Sequence, residues 1–471
     1  MSIRVTALYI FVAFLAIYAW KDWFKSLCGL ILLMAVIEHP DMPENMFGIQ
    51  GLNPWNVLFI IILLAWAFSR QRERLRWDMP RHIKIFLLLY LGVIVIGFLR
   101  AAFDRTNIEN YSLKSLISDE LINTIKWALP GILLFDGCRN RKQALMALAC
   151  LFIFYFLISL QIARNMPLSA ILSHSGNLDA VRNRISKMVG YNANEIAPIL
   201  GGACWGFLAL LPLVRKKFYK IAVLLGACLM TYALALSGSR TGYATWGATG
   251  LLMCLIKWRK YLLLVPLAVL ILSLIFPGAT ARMLEGFGQT NAAGETVANE
   301  ETITGGRTTA WPYVIDKIYE SPFIGFGRLA MKRTGLYNNI EADHPGTGAT
   351  HPHNLYLETL LDNGLIGSLP IWLFWLIVVI HSVKLFRCNN RLCSAIGGLS
   401  LALTLNWILA GIGGQHIYPA EFILAMWASV FLTLRVHLEE KWAKEISFDT
   451  QSYEIIQQSY DKNLTVIKTY E

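Results

Sequence analysis

The sequence predicts an all-α polytopic membrane protein, and three observations carry that prediction. Of 471 residues, 55% are apolar and only 15% are charged, whereas an average soluble protein is about one quarter charged. The apolar residues fall in runs divided by polar punctuation, and a helix crossing ~30 Å of hydrocarbon needs about 20 of them. The charge is uneven as well: 42 basic and 31 acidic residues give a net +11, and the basic excess sits in alternate loops. A soluble enzyme, a disordered chain, a coiled coil and a disulfide-stapled secreted domain are excluded by the same composition.

Apolar runs recur at about 5–20, 26–38, 54–69, 85–101, 119–136, 145–163, 194–213, 221–236, 241–256, 261–276, 365–383, 395–412 and 422–437. They predict about 12 transmembrane helices, twelve or thirteen according to whether the first two runs make one crossing or two. Segments 70–84, 139–142, 215–220, 257–260 and 384–391 hold 19 basic residues, against 7 in the alternate loops 39–53, 101–118, 164–193, 237–240 and 413–421. The positive-inside rule makes the first set cytoplasmic. Residues 1–276 are then transmembrane helices 1–10 with short loops, among them an outer loop at 164–193. Residues 277–352 form a large outer loop with amphipathic helices, 353–437 the last transmembrane helices, and 438–471 a cytoplasmic tail. All eight cysteines fall in spans or cytoplasmic loops, so no outer disulfide is expected. The first run lacks a small-residue cleavage site and reads as a retained helix.

No G-x-x-x-x-G-K-[ST] motif and no dinucleotide fingerprint is present. The spans are poor in the internal charges that mark ion pathways; Lys126 and Glu195 are the nearest candidates. The informative polar residues lie on the outer face, in three places. Ser237-Gly238-Ser239-Arg240-Thr241-Gly242-Tyr243 is a tight turn between two helices. Small residues there let backbone N–H groups approach an anion, the next helix offers its positive end, and Arg240 supplies a guanidinium fork beside Ser239. An arginine snorkelling at a helix end is the alternative.

The second place is Arg307 to Glu320, preceded by Gly305-Gly306 and closed by Ser321-Pro322. Apolar residues at 311, 314, 315 and 318 predict an amphipathic helix on the bilayer surface, capped by Thr308 or Thr309, with Pro312 in its first turn and Arg307 at its N-terminal end. The third is His351-Pro352-His353-Asn354-Leu355-Tyr356-Leu357-Glu358. A histidine there can take a proton from a hydroxyl at neutral pH, and Asn354 can orient the ring or hold a sugar hydroxyl. His344, His351 and His353 also leave a metal set open, though no cysteine accompanies them. Tyr191-Asn192-Ala193-Asn194-Glu195, beside Arg182, Arg184 and Lys187, adds Asn194 and Arg184 as groups that could surround a diphosphate, with a plain helix cap as the alternative.

These motifs resemble the O-antigen ligase/polymerase superfamily over roughly residues 190–370: the S-G-S-R-T-G-Y turn at 237–243, the Gly306-Arg307, Trp311, Pro322, Gly325 and Gly327 stretch, and H-N-x9-G-x2-G through His353, Asn354, Gly364 and Gly367. The resemblance implies a GT-C-like inner-membrane glycosyltransferase with a large periplasmic loop. It implies transfer of polysaccharide from undecaprenyl diphosphate to lipid A–core, without nucleotide, cofactor or metal. In that reading His353 is the catalytic base, Arg240 and Arg307 hold the diphosphate, and Asn354, Ser239, Asn194 and Arg184 bind substrate. Membrane lipids are the remaining partner and no nucleic acid is expected. A polymerase of the same superfamily stays open, although neither Arg182, Arg184 nor Arg307 is followed ten residues later by the glycine often described for polymerases. A lipid-linked polysaccharide transporter is the rival from another class.

Overall fold

The computed structural model describes residues 3–440 except 41, 44, 47, 76, 167–168, 170–177, 286–288, 291–295, 298–303, 305–306, 346–349 and 415. Gly305 and Gly306 and nearly all of the tail expected at 438–471 lie outside the described residues. The chain is a helical bundle with two antiparallel ladders of two residues per strand. Among the described residues seven helices are long and apolar enough to cross a membrane: Pro54–Glu73, Arg81–Phe103, Arg141–Asn165, Lys217–Leu236, Leu355–Arg387, Arg391–Gly413 and Glu421–Glu440. An eighth is counted if Arg259–Ile275 and Pro277–Leu284, bent by 104°, make one span. This is a multi-pass membrane protein.

The remaining expected spans are helical but shorter or broken. Ile3–Ala19 and Trp23–Leu33 are two separate helices, divided where Asp22 turns to cap the second by accepting from Lys25 N at 3.1 Å. Ala193–Ala209 and Arg240–Ile256 have 17 residues each, at the short end of what spans a bilayer. The run at 119–136 is interrupted: a π-helical stretch at Ile117–Ile122 leads into Asn123–Lys126 and then Leu129–Gly137. Arg391–Gly413 and Glu421–Glu440 are almost wholly buried and form the centre of the bundle. The Ala193–Ala209 helix reaches them through glycines, since a Cβ at Gly202 would stand 2.8 Å from Leu403 Cα. Small residues at such a contact let backbones approach and gain dispersion where lipid leaves no hydrophobic drive. Outward faces carry exposed Leu88, Ile96, Leu225 and Leu274, as a lipid-facing surface requires.

The loops sorted by charge also sort by contact. Asp136 accepts from Arg70 and Arg139, and Asp78 pairs with Arg139 at 3.3 Å and Arg435 at 2.7 Å. Lys257 Nζ donates to Phe386 O at 2.5 Å and Ser394 Oγ at 2.6 Å. At the other end Arg182 reaches Gly238 O at 3.4 Å, Arg100 reaches Ile324 O at 2.6 Å, and Asn107 reaches Arg333 O at 3.0 Å. These contacts join 70–84 to 139–142 and 257–260 to 384–391, and at the other end 164–193 to 237–240 and 101–118 to 277–352.

One helix break organises that second end. Leu355–Arg387 runs through Gly364 at φ 59°, ψ −171°, a region essentially reserved for glycine. The break frees backbone groups of one helical turn, and the 322–327 segment takes them. Phe326 N and Gly327 N donate to Leu361 O and Asp362 O at 2.8 and 2.6 Å, while Leu365 N and Ile366 N donate to Pro322 O and Phe323 O at 2.8 and 3.0 Å. The two segments touch so closely that a Cβ at Gly325 would stand 2.5 Å from Gly364 N. Replacing Gly364 with Ala should therefore cost at least ~2 kcal/mol in strain and collision. Gly92→Ala, with no atom within 4 Å of the added carbon, should stay within ~1 kcal/mol of the parent. Thermal unfolding of the two purified variants checks the contrast, and equal stabilities would show the interlock to be unimportant.

Candidate active site

Three guanidiniums gather at the second end of the bundle. The Ser239 hydroxyl caps the Arg240–Ile256 helix by accepting from Gly242 N at 3.3 Å, so Ser239 shapes the turn and Arg240 stands as the first helical residue. Arg240 Nη1 donates to Glu285 O at 3.1 Å. Arg307 lies on the helix described over Arg307–Glu320. Thr308 and Thr309, expected as caps, are helical residues, and Pro312 lies inside the helix. Ala310 and Val314 on this helix pack with Ala330, Met331, Leu336 and Ile340 in a satellite core, so its apolar face is spent largely on protein. Burial lowers the Arg307 pKa, and Arg240 and Arg182 lower it further, which places all three guanidiniums within electrostatic reach.

Arg182, not Arg184, belongs to this cluster. Arg182 Nη2 donates to Asn194 Oδ1 at 3.0 Å and Nη1 points to Gly238 O, whereas Arg184 lies on the exposed face of its helix. The Asn192 side chain caps the Ala193–Ala209 helix by accepting from Asn194 N at 2.9 Å, leaving the Asn194 carbonyl to hold Arg182.

His353 meets the cluster through an unusual backbone step. It has φ 49°, a left-handed conformation uncommon for non-glycine residues and frequent at functional sites. Asn354 follows in extended conformation and caps the next helix, accepting from Tyr356 N at 3.0 Å and Leu357 N at 3.1 Å. Its carbonyl is thus engaged in capping rather than in orienting the ring. Trp311 Nε1 donates to Pro352 O at 3.0 Å, tying the Arg307 helix to the histidine segment. Gly413 and Gly414 lie where these groups converge: a Cβ at Gly413 would sit 2.8 Å from Thr241 Oγ1 and 3.4 Å from Arg307 Nη1, and one at Gly414 would sit 3.9 Å from both Arg307 Nη2 and His353 Nδ1.

The structure also assembles groups that the sequence reading did not join. His351 stacks on His353 at 3.9 Å between ring centroids and on His416 at 4.8 Å. His416 Nδ1 meets the Glu358 carboxylate at 2.9 Å. Arg328 pairs with buried Glu120, lies 4.0 Å from Asp362 and stacks 3.5 Å over the Tyr418 ring. The signal for two of these was available: Asn354, Glu358 and Asp362 are spaced four apart and share one helix face. His416 carried no local signal. His344 stands apart, against Tyr313 at 6.0 Å between rings, so the H-x6-H-x-H set does not converge.

Electrostatics separates the three histidines. The Glu358 carboxylate raises the pKa of His416. Burial, then His416 and His353, lower that of His351 to about 3. Burial and the Arg307 guanidinium hold His353 down at about 4. At neutral pH His353 is therefore an uncharged imidazole beside a cluster of guanidiniums. Arg307→Gln removes a charge that opposes imidazolium, so the His353 pKa should rise from about 4 toward, but not beyond, 6.5. Titration of 15N-labelled histidine resonances measures it; an unmoved pKa would separate the two groups.

Residues 225–372 match the family model described as O-antigen ligase. That segment carries Arg240, Arg307, His353 and the Gly325–Gly364 interlock. The chain is 24% identical over 253 residues to a Rickettsia conorii protein named "Putative polysaccharide ligase", covering 52% of this chain and 58% of that one. Proteins of the same name in Rickettsia felis and Rickettsia prowazekii are each 24% identical over 44% of this chain and 50% of theirs. The chain thus spans about half the length of these relatives. Over residues 225–372, which carry these motif residues, the chain is similar to the O-antigen ligase family.

Proposed function

We propose that this protein is an O-antigen ligase, transferring polysaccharide from undecaprenyl diphosphate to lipid A–core at the periplasmic face of the inner membrane. The observation that carries the reading is the meeting of Arg240, Arg307 and Arg182 with an uncharged His353. A diphosphate suits such a cluster, because its oxygens can take bidentate contacts from several guanidiniums.

The chemistry follows from charge. The acceptor hydroxyl oxygen attacks the anomeric carbon, its proton passes to His353, and the bond from that carbon to the diphosphate oxygen breaks. The electron pair stays on the leaving undecaprenyl diphosphate, which gains one negative charge. Guanidiniums that strengthen their hold as this charge grows lower the barrier selectively. In-line attack inverts the anomeric centre, and no nucleotide or metal takes part. The incoming anion also offsets Arg307, lifting the His353 pKa toward the range where a base works best at neutral pH.

The loop set grouped with this site is the one poor in basic residues, which supports the periplasmic assignment by the positive-inside rule. A polymerase would use the same clamp with a growing lipid-linked chain as acceptor, and the product distinguishes the two. Purified protein should join undecaprenyl-diphosphate-linked glycan to lipid A–core in the presence of EDTA, and His353→Ala should lower the rate ~10² to 10⁴-fold. Product lengthened on its own lipid carrier would make the protein a polymerase, and absence of any transfer would overturn the transferase reading.

A further inference from the structure

A cavity of about 320 Å³ lies beside the histidines and is used by no step above. His351 lines it and also stacks 3.9 Å from His353, so the cavity ends one imidazole ring from the base. Arg182, Arg240, Arg307 and His353 do not line it. Its polar wall is of opposite character: Asp119, Glu120, Glu358, Asp362 and Glu421 outnumber the cations Arg328 and Lys332 even with His416 paired to Glu358 and the Asp362 carboxyl pushed up to about 7 by burial. The wall is built rather than incidental. His416 is held by Glu358 at 2.9 Å, and Asp362 accepts from Tyr418 OH at 2.9 Å, itself packed under Arg328. The π-helical stretch Ile117–Ile122 brings Asp119 and Glu120 to the other side, the kind of local widening that recurs at functional sites.

Resting on the transferase reading, we propose that this cavity is the acceptor subsite and that it takes an unphosphorylated sugar, neutral or amino, through its hydroxyl groups. The histidine pair then divides the reaction centre into a cationic half for the diphosphate and a carboxylate-rich half for the sugar. Hydroxyl and ammonium groups donate to carboxylates, whereas a phosphate placed there would meet net negative charge in a half-buried setting. The same sorting keeps the donor's diphosphate from occupying the acceptor's place. Glu358 acts here as a positioning residue, holding His416 and the cavity wall while His353 takes the proton.

The test uses the full chain in a sugar-free detergent and saturation-transfer NMR with methyl glucoside, glucosamine and glucose 6-phosphate, each at millimolar concentration. The first two should give signal and the phosphorylated sugar at least tenfold less. Asp119 is exposed and its carboxylate accepts from Tyr111 OH at 3.0 Å, so Asp119→Lys should fold normally while weakening glucosamine about tenfold and strengthening glucose 6-phosphate. In the transfer assay Glu358→Gln should raise the KM for acceptor about tenfold and leave the KM for donor unchanged. Equal signal from all three sugars in the parent, or an unchanged ranking in Asp119→Lys, would overturn the subsite even if transfer itself succeeds. The binding ranking needs no donor, so a chain that shows it but transfers nothing loses the transferase reading while the cavity remains a saccharide site.

Discussion

Everything at the end of the bundle that carries the arginines and histidines hangs on one exchange of backbone hydrogen bonds. A helix that breaks within the bundle leaves peptide groups unpaired, and each would cost several kcal/mol away from water. Here the 322–327 segment repairs the break at Gly364 from both sides. That repair fixes the end of the Arg307 helix against the start of the His353 helix, and Trp311 adds a second tie through Pro352. The signature glycines are thus not catalytic decoration. Gly325 and Gly364 are present because two backbones must pass where a side chain has no room, and the distance between guanidinium and imidazole follows from their contact.

The second organising principle is separation of charge. Guanidiniums collect on one side of the histidine pair, and carboxylates line the cavity reached through His351 on the other. Burial alone would push all three imidazoles toward neutrality; Glu358 reverses this for His416 only. Three histidines within ring contact therefore differ in their affinity for a proton, raised at His416 and lowered at His351 and His353. A site arranged in this way is poised for a reaction in which negative charge appears on one reactant while a proton leaves the other.

Much of this was legible in the sequence. The apolar runs foretell a multi-pass helical protein, and the structure has seven helices long and apolar enough to cross a membrane among the described residues. The count of spans was less legible, because hydropathy cannot see where a run such as 119–136 breaks into π-helical and α-helical pieces, or that 194–213 stops as a helix at Ala209. Arg240, Arg307 and His353 were found from their motifs, and the structure brings them together. The sequence does not separate Arg182 from Arg184, because two arginines two residues apart are told from each other only by the phase of their helix, which leaves Arg184 exposed. Asn354 and Ser239 cap helices, a role that Asn and Ser take by default. His416 was invisible because its partner Glu358 is 58 residues away in sequence.

The central claim is that the arginine cluster exists to hold a diphosphate. Calorimetric binding of farnesyl diphosphate and farnesyl monophosphate to the purified protein and to Arg307→Lys tests it without requiring turnover. The account predicts that the parent binds the diphosphate at least tenfold tighter than the monophosphate and that the lysine variant loses most of this preference, since a point charge cannot reproduce the guanidinium fork. Equal affinity for the two lipids, or a preference untouched in Arg307→Lys, would contradict it.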